Sequence, residues 1–482
     1  MAEISRKIIV LGQALLPVEL NETAEKRLSA PGIRAWHFAR ALREAGHEVA
    51  LVSIHSANSP LLSARLLEPG LTLYQLNEAD LTTSSALEKL VEDFKSDGAV
   101  AASAWPSYLA ALFLPAELPF WGDLFGSPLA EGQAKAVTYQ DDSLIEPFSR
   151  FERGVLDRAD VVSTVSSYQE YATIGALATH GRLNRHTDGY RLVYTIPATL
   201  DPQRLPPAPQ PVIRGTVVPG DAFVMLWSGG FNTWTDIETL FAGLEEAMQA
   251  NPKLHFVSTG GALSPHDSQT YPRFEALVSA SANRERYHLL GWLPLENLHN
   301  YYLESDLGII LDRWSYEGLL GSRTRLLDWL LYGLPAIITV TAELTEQLVE
   351  EHLAFSFPHG DSHALAELLK SLATQPAVLS EVRKRASAYA AQRFAYNQAC
   401  RPLLKWAANP WRAPDAGKPR PQLAVNSGQA TLELEKTLAG YRAQIEAKNA
   451  HIAELEQWAH DLEKRLQAQA GGWKNMLRKA RP

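Results

Sequence analysis

The 482-residue chain contains a single cysteine, Cys400, and this scarcity excludes several kinds of site. One thiol cannot form an internal disulfide, and it cannot build a cysteine-rich metal centre. Such a composition is typical of a protein in a reducing compartment. We interpret Cys400 as a small buried hydrophobic residue rather than as a nucleophile.

Long apolar runs are also lacking. No stretch reaches the roughly 18 uninterrupted apolar residues that indicate a transmembrane helix. The first apolar run, within MAEISRKIIVLGQALLP (1–17), is ended by Pro17 and is typical of a strand rather than of a signal peptide. We therefore expect a cytoplasmic protein.

Blocks of one charge sign are rare, although the formal net charge is −9. This spread argues against nucleic acid or an anionic membrane as a general partner of the body of the protein. The exception is GGWKNMLRKARP (471–482), which has four basic residues and no acidic one. Trp473, Met476 and Leu477 could form an apolar face, so residues 473–482 would either dock at the inner face of the membrane or remain a solvated basic tail.

Short apolar runs alternate with helical patterns over most of the chain. The first series of runs is KIIVLG (7–12), EVALVS (48–53), LTLYQL (71–76), GAVAAS (98–103), DVVSTV (160–165) and RLVYTI (191–196), and the second is AFVMLW (222–227), LHFVST (254–259), YHLL (287–290), LGIILD (307–312) and PAIITV (335–340). Between them, residues 201–221 contain six prolines and read as an interdomain linker. The pattern predicts an α/β protein with two Rossmann-like doubly wound domains, 1–200 and 222–412, that face a cleft. We also expect residues 362–411 to be helical and their end to pack back across both domains.

The last part of the chain has a different pattern. Residues 413–429 read as a linker, and residues 430–470 predict a coiled-coil helix. Its seam has alternating spacings of four and three, through Leu434, Leu438, Tyr441, Ile445, Lys448, Ile452, Leu455, Ala459, Leu462 and Leu466. We expect a homo-oligomer formed through this segment, and the alternative is a single helix that folds back on the body.

Charged residues mark the segment GSRTRLLDWLLYGLPAI (321–337), which lies between two very apolar strands. Ser322 is a suitable N-cap for a helix whose amino terminus would face the ligand crevice of the sheet. Arg323 and Arg325 have the forked donors that bind phosphate oxygens, and Asp328 could accept hydrogen bonds from a ribose. The alternative is that Arg325 and Asp328 form an ordinary ion pair on the helix surface.

This segment, SRTRLLDWLLYGLP (322–335), resembles the Ser-x-x-Lys-(apolar)₂-Glu-Tyr-(apolar)₂-x-Gly-x-Pro segment of retaining, GT-B-fold glycosyltransferases of family 4. The resemblance extends to APGIRAWHFARALREAGHEVALVS (30–53) and LLGWLPLENLHNYYLESDLGIIL (289–311), and it covers roughly residues 7 to 410. It implies that the first domain binds the acceptor and the second binds a nucleotide-sugar donor. It also implies that Arg325 contacts the donor diphosphate and Asp328 the donor ribose.

The resemblance implies further site residues. The candidates for donor binding are Gly32, Gly229, Gly230, Asn232, Gly260, Trp292, Ser322, Arg323, Arg325 and Asp328, and the candidates for catalysis are Arg325, Asp328, Glu317 and Asp123. The loop WSGGFNTWTD (227–236) has Gly230 and Thr235 where the family has an arginine and a lysine, so the phosphate charge would fall to Arg323 and Arg325.

Several of these assignments have alternatives. Glu317 either reaches the donor sugar or lies in an ordinary turn, because it precedes Asp328 by eleven positions and breaks the usual Glu-x₇-Glu spacing. Asp123 either faces the sugar or caps a helix. His266 and Asp267 have no third ligand at a suitable spacing, so we expect no metal there.

We therefore expect a metal-independent glycosyltransferase without a cofactor, which moves a sugar from a nucleotide-diphosphate sugar to a glycan or lipid-linked acceptor with retention. The expected context is bacterial-type surface polysaccharide assembly. One alternative is a nucleotide-sugar epimerase of the same fold. Another is a catalytically inactive scaffold that organises a glycan-assembly complex through the coiled coil.

Overall fold

The structure is a computed structural model of the whole chain. It describes residues 5–19, 29–55, 64–83, 85–203, 209–264, 266–421 and 427–479. The chain divides after Pro421 into two compact units. The first unit contains two parallel sheets with their helices, and the second is one long helix.

The first sheet has eight strands in the order β3-β4-β2-β1-β5-β6-β7-β8. Its strands are β1 (Lys7–Gln13), β2 (Glu48–His55), β3 (Ala64–Glu68), β4 (Leu71–Asn77), β5 (Gly98–Ala101), β6 (Phe120–Asp123), β7 (Val161–Thr164) and β8 (Val193–Thr195). Only β3 runs antiparallel to its neighbour among these strands. Ile9 and Leu11 join one core cluster while Ile8 and Val10 join another, so both faces of the sheet are buried.

Seven α-helices accompany this sheet, and we call the assembly the first domain. They are α1 (Ala30–Glu44), α2 (Glu78–Thr83), α3 (Ala86–Phe94), α4 (Ala104–Phe113), α5 (Pro128–Tyr139), α6 (Ile145–Arg158) and α7 (Ser167–Thr179). Helix α1 has a capped start: Ser29 accepts a hydrogen bond from Gly32 N at 3.1 Å, and Pro31 occupies the first turn, where its missing N–H costs nothing.

The second sheet has six parallel strands in the order β11-β10-β9-β12-β13-β14. They are β9 (Phe223–Ser228), β10 (Leu254–Thr259), β11 (Tyr287–Leu289), β12 (Leu307–Ile310), β13 (Ala336–Ile338) and β14 (Ala354–Ser356). With helices α8 (Ile237–Ala250), α9 (Thr270–Ala280), α10 (Leu295–Glu304), α11 (Tyr316–Leu320), α12 (Arg325–Leu331), α13 (Glu343–Glu350) and α14 (Ser362–Leu372) they form the second domain. The strand order reverses between β9 and β12, which is where doubly wound sheets open a ligand crevice.

The chain returns to the first domain after α15 (Pro376–Phe394), through α16 (Tyr396–Ala399) and α17 (Arg401–Ala407). Tyr396, Cys400 and Trp406 belong to a core cluster of the first domain, so the predicted return is confirmed. Burial raises the pKa of the Cys400 thiol to about 12, which confirms its interpretation as an inert hydrophobic residue.

Both predicted linkers pack more closely than their composition indicates. In residues 209–221, Ile213 and Val218 are buried in the core of the second domain, although the segment forms no helix or strand. Residues 413–421 lie on the first domain, where Asp415 is buried and Arg182 donates to it at 2.6 and 3.1 Å. This part of the predicted second linker is therefore a packed segment.

The second unit is helix α18 (Ser427–Lys479), which continues without a break through Gly471 and Gly472. Its apolar seam residues between Leu438 and Leu462 are exposed. The side chains of 466–479 and residues 480–482 lie outside what the structure describes, so membrane docking by the basic tail stays a prediction. None of the described helices is long and apolar enough to cross a membrane.

Candidate functional site

The loops after β9 and β10 meet at the carboxyl edge of the second sheet, beside the reversal point. Two glycines bring the backbones together here, since a Cβ on Gly260 would lie 1.9 Å from Gly229 O and one on Gly230 would lie 2.3 Å from Leu263 Cγ. Gly229 has a φ of +85°, which glycine adopts without strain. The sequence predicts that Gly230 and Gly260 admit a ligand, but in the structure they admit neighbouring protein atoms instead.

Arg325 is the first residue of α12, and its side chain contacts the loop after β9. Its Nη2 donates to Gly230 O at 2.9 Å, and its guanidinium carbon lies 4.9 Å from the ring centroid of Trp227. A Cβ on Gly229 would sit 3.7 Å from the guanidinium carbon, so the glycine leaves this face of the cation uncovered by a side chain. Arg325 is the predicted diphosphate ligand, and the structure places it at the crevice.

Arg325 makes no ion pair with a described acid, although the charge of Asp312 attracts it. Nη1 is buried and has no hydrogen-bond partner among the described residues. Burial lowers the pKa of Arg325 to about 10, Asp312 opposes this shift and the positive charge of Arg323 adds to it. The group is still a cation at neutral pH. Arg325 as a whole is half-buried, but its Nη1 is removed from water, and a bound anion would stabilise such a cation.

Other polar atoms at the carboxyl edge of the second sheet also lack partners. Ten buried side-chain atoms of the described residues make no hydrogen bond, and seven of them belong to this edge: Asn232 Oδ1, Thr233 Oγ1, Ser258 Oγ, Thr259 Oγ1, Asp267 Oδ2, Arg325 Nη1 and Thr341 Oγ1. Buried polar atoms normally find a partner, so water or a polar ligand is expected to complete these positions. Asn232 was a predicted donor-binding residue.

Arg323 has a different environment from Arg325. It is 4% exposed, its Nε donates to Asp312, and its Nη2 donates to Glu317 Oε2 at 2.9 Å. Two carboxylates therefore neutralise it, and the prediction that Arg323 shares the phosphate charge is not supported by this geometry. Glu317 in α11 is likewise held by Arg323 rather than aimed at a sugar. Its pKa is raised because burial outweighs the attraction of Arg323.

The start of α12 also differs from the sequence prediction. The helix begins at Arg325 after Thr324, and no side chain caps it, so Ser322 is not its N-cap. Leu326 N donates to Arg323 O at 3.0 Å and Leu327 N to Thr324 O at 3.0 Å. These tight-turn bonds use backbone donors that were predicted to bind an anion.

The remaining predicted donor-binding residues occupy separate places. Asp328 is half-buried on α12, three positions after Arg325. Trp292 lies in the loop after β11, where its indole donates to Ala262 O at 3.1 Å. Gly32 lies in the first domain, and a Cβ there would meet Leu15 O at 2.3 Å, so its requirement for glycine comes from close backbone packing.

Asp123 is fully buried at the end of β6 and does not face the crevice. Its carboxylate accepts from Arg34 Nε and Nη2, Ser103 N and Ser163 Oγ, at 3.0, 2.7, 2.9 and 2.6 Å. The four bonds occupy its acceptor positions. The structure therefore places Asp123 in a buried ion pair with Arg34, and this geometry does not support a sugar contact.

The two domains touch across the cleft. Ser167, at the start of α7, donates from N and Oγ to Glu343 of the second domain at 2.7 and 2.8 Å, and Tyr168 donates to Glu346. Further along, Tyr139 Oη accepts from Ser268 N at 2.9 Å. These contacts hold α5 and α7 against the second domain.

A pair of titratable groups lies in the same cleft. Glu131 Oε1, on α5, is 3.8 Å from His266 Nδ1 in the second domain. Burial raises the pKa of Glu131 to about 7, with Glu317 adding to the shift, and burial lowers the pKa of His266 to about 4, with Lys135 adding to it. Glu131 was not predicted as a site residue, although it lies eight positions after the candidate Asp123.

Sequence comparison connects this geometry to known proteins. Residues 29–179 match the family described as glycosyl transferase 4-like domain. No curated protein matches the chain.

Solved structures resemble the chain over both sheets. Sucrose-phosphate synthase from Thermosynechococcus elongatus aligns with a TM-score of 0.61 and 17% identity, over 83% of this chain and 98% of that one. HepE from Anabaena, in complex with UDP and glucose, aligns with a TM-score of 0.57 and 14% identity, over 83% and 98%. A UDP-forming α,α-trehalose-phosphate synthase from Burkholderia vietnamiensis aligns with a TM-score of 0.59 and 10% identity, over 84% and 99%. At these identities the likeness shows the fold, and the predicted GT-B arrangement of two Rossmann-like domains is confirmed.

Proposed function

We propose that this chain, a glycosyltransferase of the GT-B fold, transfers a sugar from a UDP-sugar to an acceptor held by the first domain, with the diphosphate bound by Arg325. The observation that carries the proposal is the buried Nη1 of Arg325, which has no partner among the described residues. UDP is the favoured nucleotide because HepE is similar in fold and was solved with UDP, and because the similar trehalose-phosphate synthase forms UDP.

In the reaction, the bond from the sugar C1 to the diphosphate breaks while the acceptor oxygen bonds to C1. Negative charge grows on the departing diphosphate, and a preformed cation lowers the free energy of that state most where water is excluded. Arg325 is such a cation, because it is held by Gly230 O and Trp227 before any ligand binds. The acceptor proton passes to the departing phosphate, and the sugar keeps its anomeric configuration, as the family resemblance implies.

The contacts between α5 or α7 and the second domain would keep water from the activated sugar. A glycan or lipid-linked acceptor in surface polysaccharide assembly remains the context that we favour. Labelled UDP-sugar incubated with and without an acceptor extract separates transfer from epimerisation, because an epimerase acts without the acceptor.

Binding of UDP to Arg325→Met tests the proposal directly. Loss of one charged contact to the diphosphate should weaken UDP binding about 10- to 100-fold in calorimetry, corresponding to roughly 1.5–3 kcal/mol. The variant without ligand should keep its thermal midpoint, since a buried cation without an acid is removed. Arg273→Met, at an exposed position of the same domain, is the matched control and should bind UDP like the parent.

The outcomes separate clearly. Unchanged UDP affinity in Arg325→Met would overturn the assignment of the diphosphate site. If the parent protein binds GDP or TDP but not UDP, the choice of UDP as the nucleotide is wrong, although the assignment of the diphosphate site to Arg325 still holds.

A further inference from the structure

Helix α18 carries an apolar seam that no described residue covers. We define the seam as Leu438, Tyr441, Ile445, Lys448, Ile452, Leu455, Ala459 and Leu462. Its leucine, isoleucine and tyrosine side chains remain between 42% and 60% exposed. The seam repeats every 3.5 residues on average, which is the period of two helices that coil around each other. A second helix is therefore the occupant that the spacing fits.

The seam divides into two kinds of heptad position. Leu438, Ile445, Ile452 and Ala459 are at a positions, because each is followed three residues later by a seam residue at a d position. The d positions are Tyr441, Lys448, Leu455 and Leu462. In a parallel pair in register, each layer contains two copies of one residue. Two Lys448 ammonium groups would then face each other in the core, and two Ala459 methyl groups would leave a poorly filled layer.

An antiparallel pair combines the same residues differently, because each a position faces a d position of the second copy. When the pair is centred on residue 450, Tyr441 faces Ala459 of the second copy, and Lys448 faces Ile452. The other layers combine Leu438 with Leu462 and Ile445 with Leu455. Large side chains are then opposite small ones, and no layer contains two charges of the same sign.

The flanking charges favour the same orientation. The e positions beside the seam are Arg442, Asn449, Glu456 and Glu463. In an antiparallel pair e positions line up with e positions, so Arg442 lies close to an acidic residue of the second copy. In a parallel pair e positions line up with g positions, and Arg442 meets Thr437 instead.

We propose that α18 pairs antiparallel with α18 of a second copy of this chain, in a register centred on residue 450. The two Leu438 residues then lie at opposite ends of the paired segment, roughly 36 Å apart along the helix axis for a rise of about 1.5 Å per residue. The two chains leave the paired segment in opposite directions.

Disulfide trapping in the full chain distinguishes the orientations. The chain is suited to it because its one natural thiol, Cys400, is fully buried. Under mild oxidation, Leu438→Cys alone should give no covalent dimer. The double variant Leu438→Cys with Leu462→Cys should give one, and mass spectrometry should recover the peptide that joins positions 438 and 462. A 438–438 disulfide would overturn the orientation, and a monomer at micromolar concentration in light scattering would overturn the pairing itself.

A size exchange provides a second, independent readout. Tyr441→Ala should weaken the dimer about tenfold or more, because two symmetric layers each lose a ring. Ala459→Tyr should also weaken it, since two rings would compete for one layer. The double variant should recover most of the affinity by restoring a ring opposite a methyl group. Effects that simply add would contradict the antiparallel register.

Discussion

Buried polar groups at the carboxyl edges of the two sheets differ in whether they have partners within the protein. At the edge of the first sheet, Arg34 neutralises Asp123, and among the described residues there only Ser103 Oγ lacks a hydrogen-bond partner. At the edge of the second sheet seven buried polar atoms of the described residues lack one, and Arg325 makes no ion pair with a described acid. Satisfied charges stabilise the fold, whereas unsatisfied ones are available for a ligand.

A second cluster in the first domain follows the same rule. Glu19 is fully buried and accepts from Leu16 N, Ser53 Oγ, His55 Nε2 and Gln75 Nε2 at 2.7–2.9 Å. Burial opposes ionisation, but these bonds, with His55 first among them, hold its pKa below the ordinary value. The first edge therefore contains compensated charges at two separate places.

The largest effect is expected from breaking the compensated pair of the first sheet. Arg34→Met leaves Asp123 as a buried carboxylate without its cation, and we expect a loss of about 3–5 kcal/mol in the free energy of unfolding measured with urea. The double variant Arg34→Met with Asp123→Leu should recover part of this loss, because the uncompensated charge is removed. If the double variant is as unstable as the sum of the two single changes, the pair is not coupled and the comparison fails.

A smaller loss is expected from Arg323→Met in the second domain. Asp312 and Glu317 then remain buried without their shared cation, at a cost of about 3 kcal/mol, part of which they avoid by taking up a proton. Because loss of the Arg323 charge raises the pKa of Glu317 further in the folded variant, the stability present at low pH is lost as the pH increases. The loss relative to the parent protein should therefore be greater at pH 8 than at pH 5.

Arg325→Met is the matched control for this experiment, because it removes an arginine two positions away that makes no ion pair with a described acid. It should leave the stability of the ligand-free protein close to that of the parent at both pH values. If both arginine variants lose equal stability, the distinction between a compensated and an available cation is wrong.

In the cleft between the domains, the pKa shifts of Glu131 and His266 should change the free energy of unfolding by on the order of 1 kcal/mol. Glu131 and His266 each keep about a third of their side-chain surface exposed, so solvent screens the cost of their pKa shifts. The stability that Glu131 contributes is present below pH 4.5, the ordinary pKa of a glutamate, and is lost as the pH rises to about 7. The His266 contribution has the opposite slope, because stability is lost as the pH falls from 6.5 to about 4.

Single variants should reveal the two opposing slopes. Relative to the parent protein, Glu131→Gln should gain stability as the pH rises from 4.5 to 7. His266→Asn should lose stability relative to the parent protein as the pH rises from 4 to 6.5. Urea titrations across this range measure both differences. Difference curves that are flat for both variants would show that neither group is perturbed in the cleft.

Much of the fold could be predicted from the sequence. Apolar runs such as LHFVST coincide with strand β10, because buried parallel strands need continuous hydrophobicity. The short strands β3, β6 and β14 were missed, and β6 has only four residues. Strand β3 is half exposed and β14 has only three residues, so neither produces a long apolar run.

The site was harder to predict, because partners distant in sequence decide what a charge does. Arg323 and Arg325 look alike in the sequence, yet Asp312 and Glu317 neutralise only the first. Asp123 had the right position after a strand, but Arg34, 89 positions away, pairs with it. Local patterns indicate where an element begins, and even that fails at Ser322, since α12 begins three residues later at Arg325.

The smallest expected effect concerns that corrected helix start. Ser322→Ala should change the free energy of unfolding by less than about 0.5 kcal/mol, because Ser322 caps no helix. Ser29→Ala is the matched variant in the first domain, where the hydroxyl accepts from Gly32 N at 3.1 Å, and it should cost about 1 kcal/mol. Urea titration of both variants measures the difference. A loss in Ser322→Ala equal to that in Ser29→Ala would restore Ser322 as a cap and would return free backbone donors to the crevice beside Arg325.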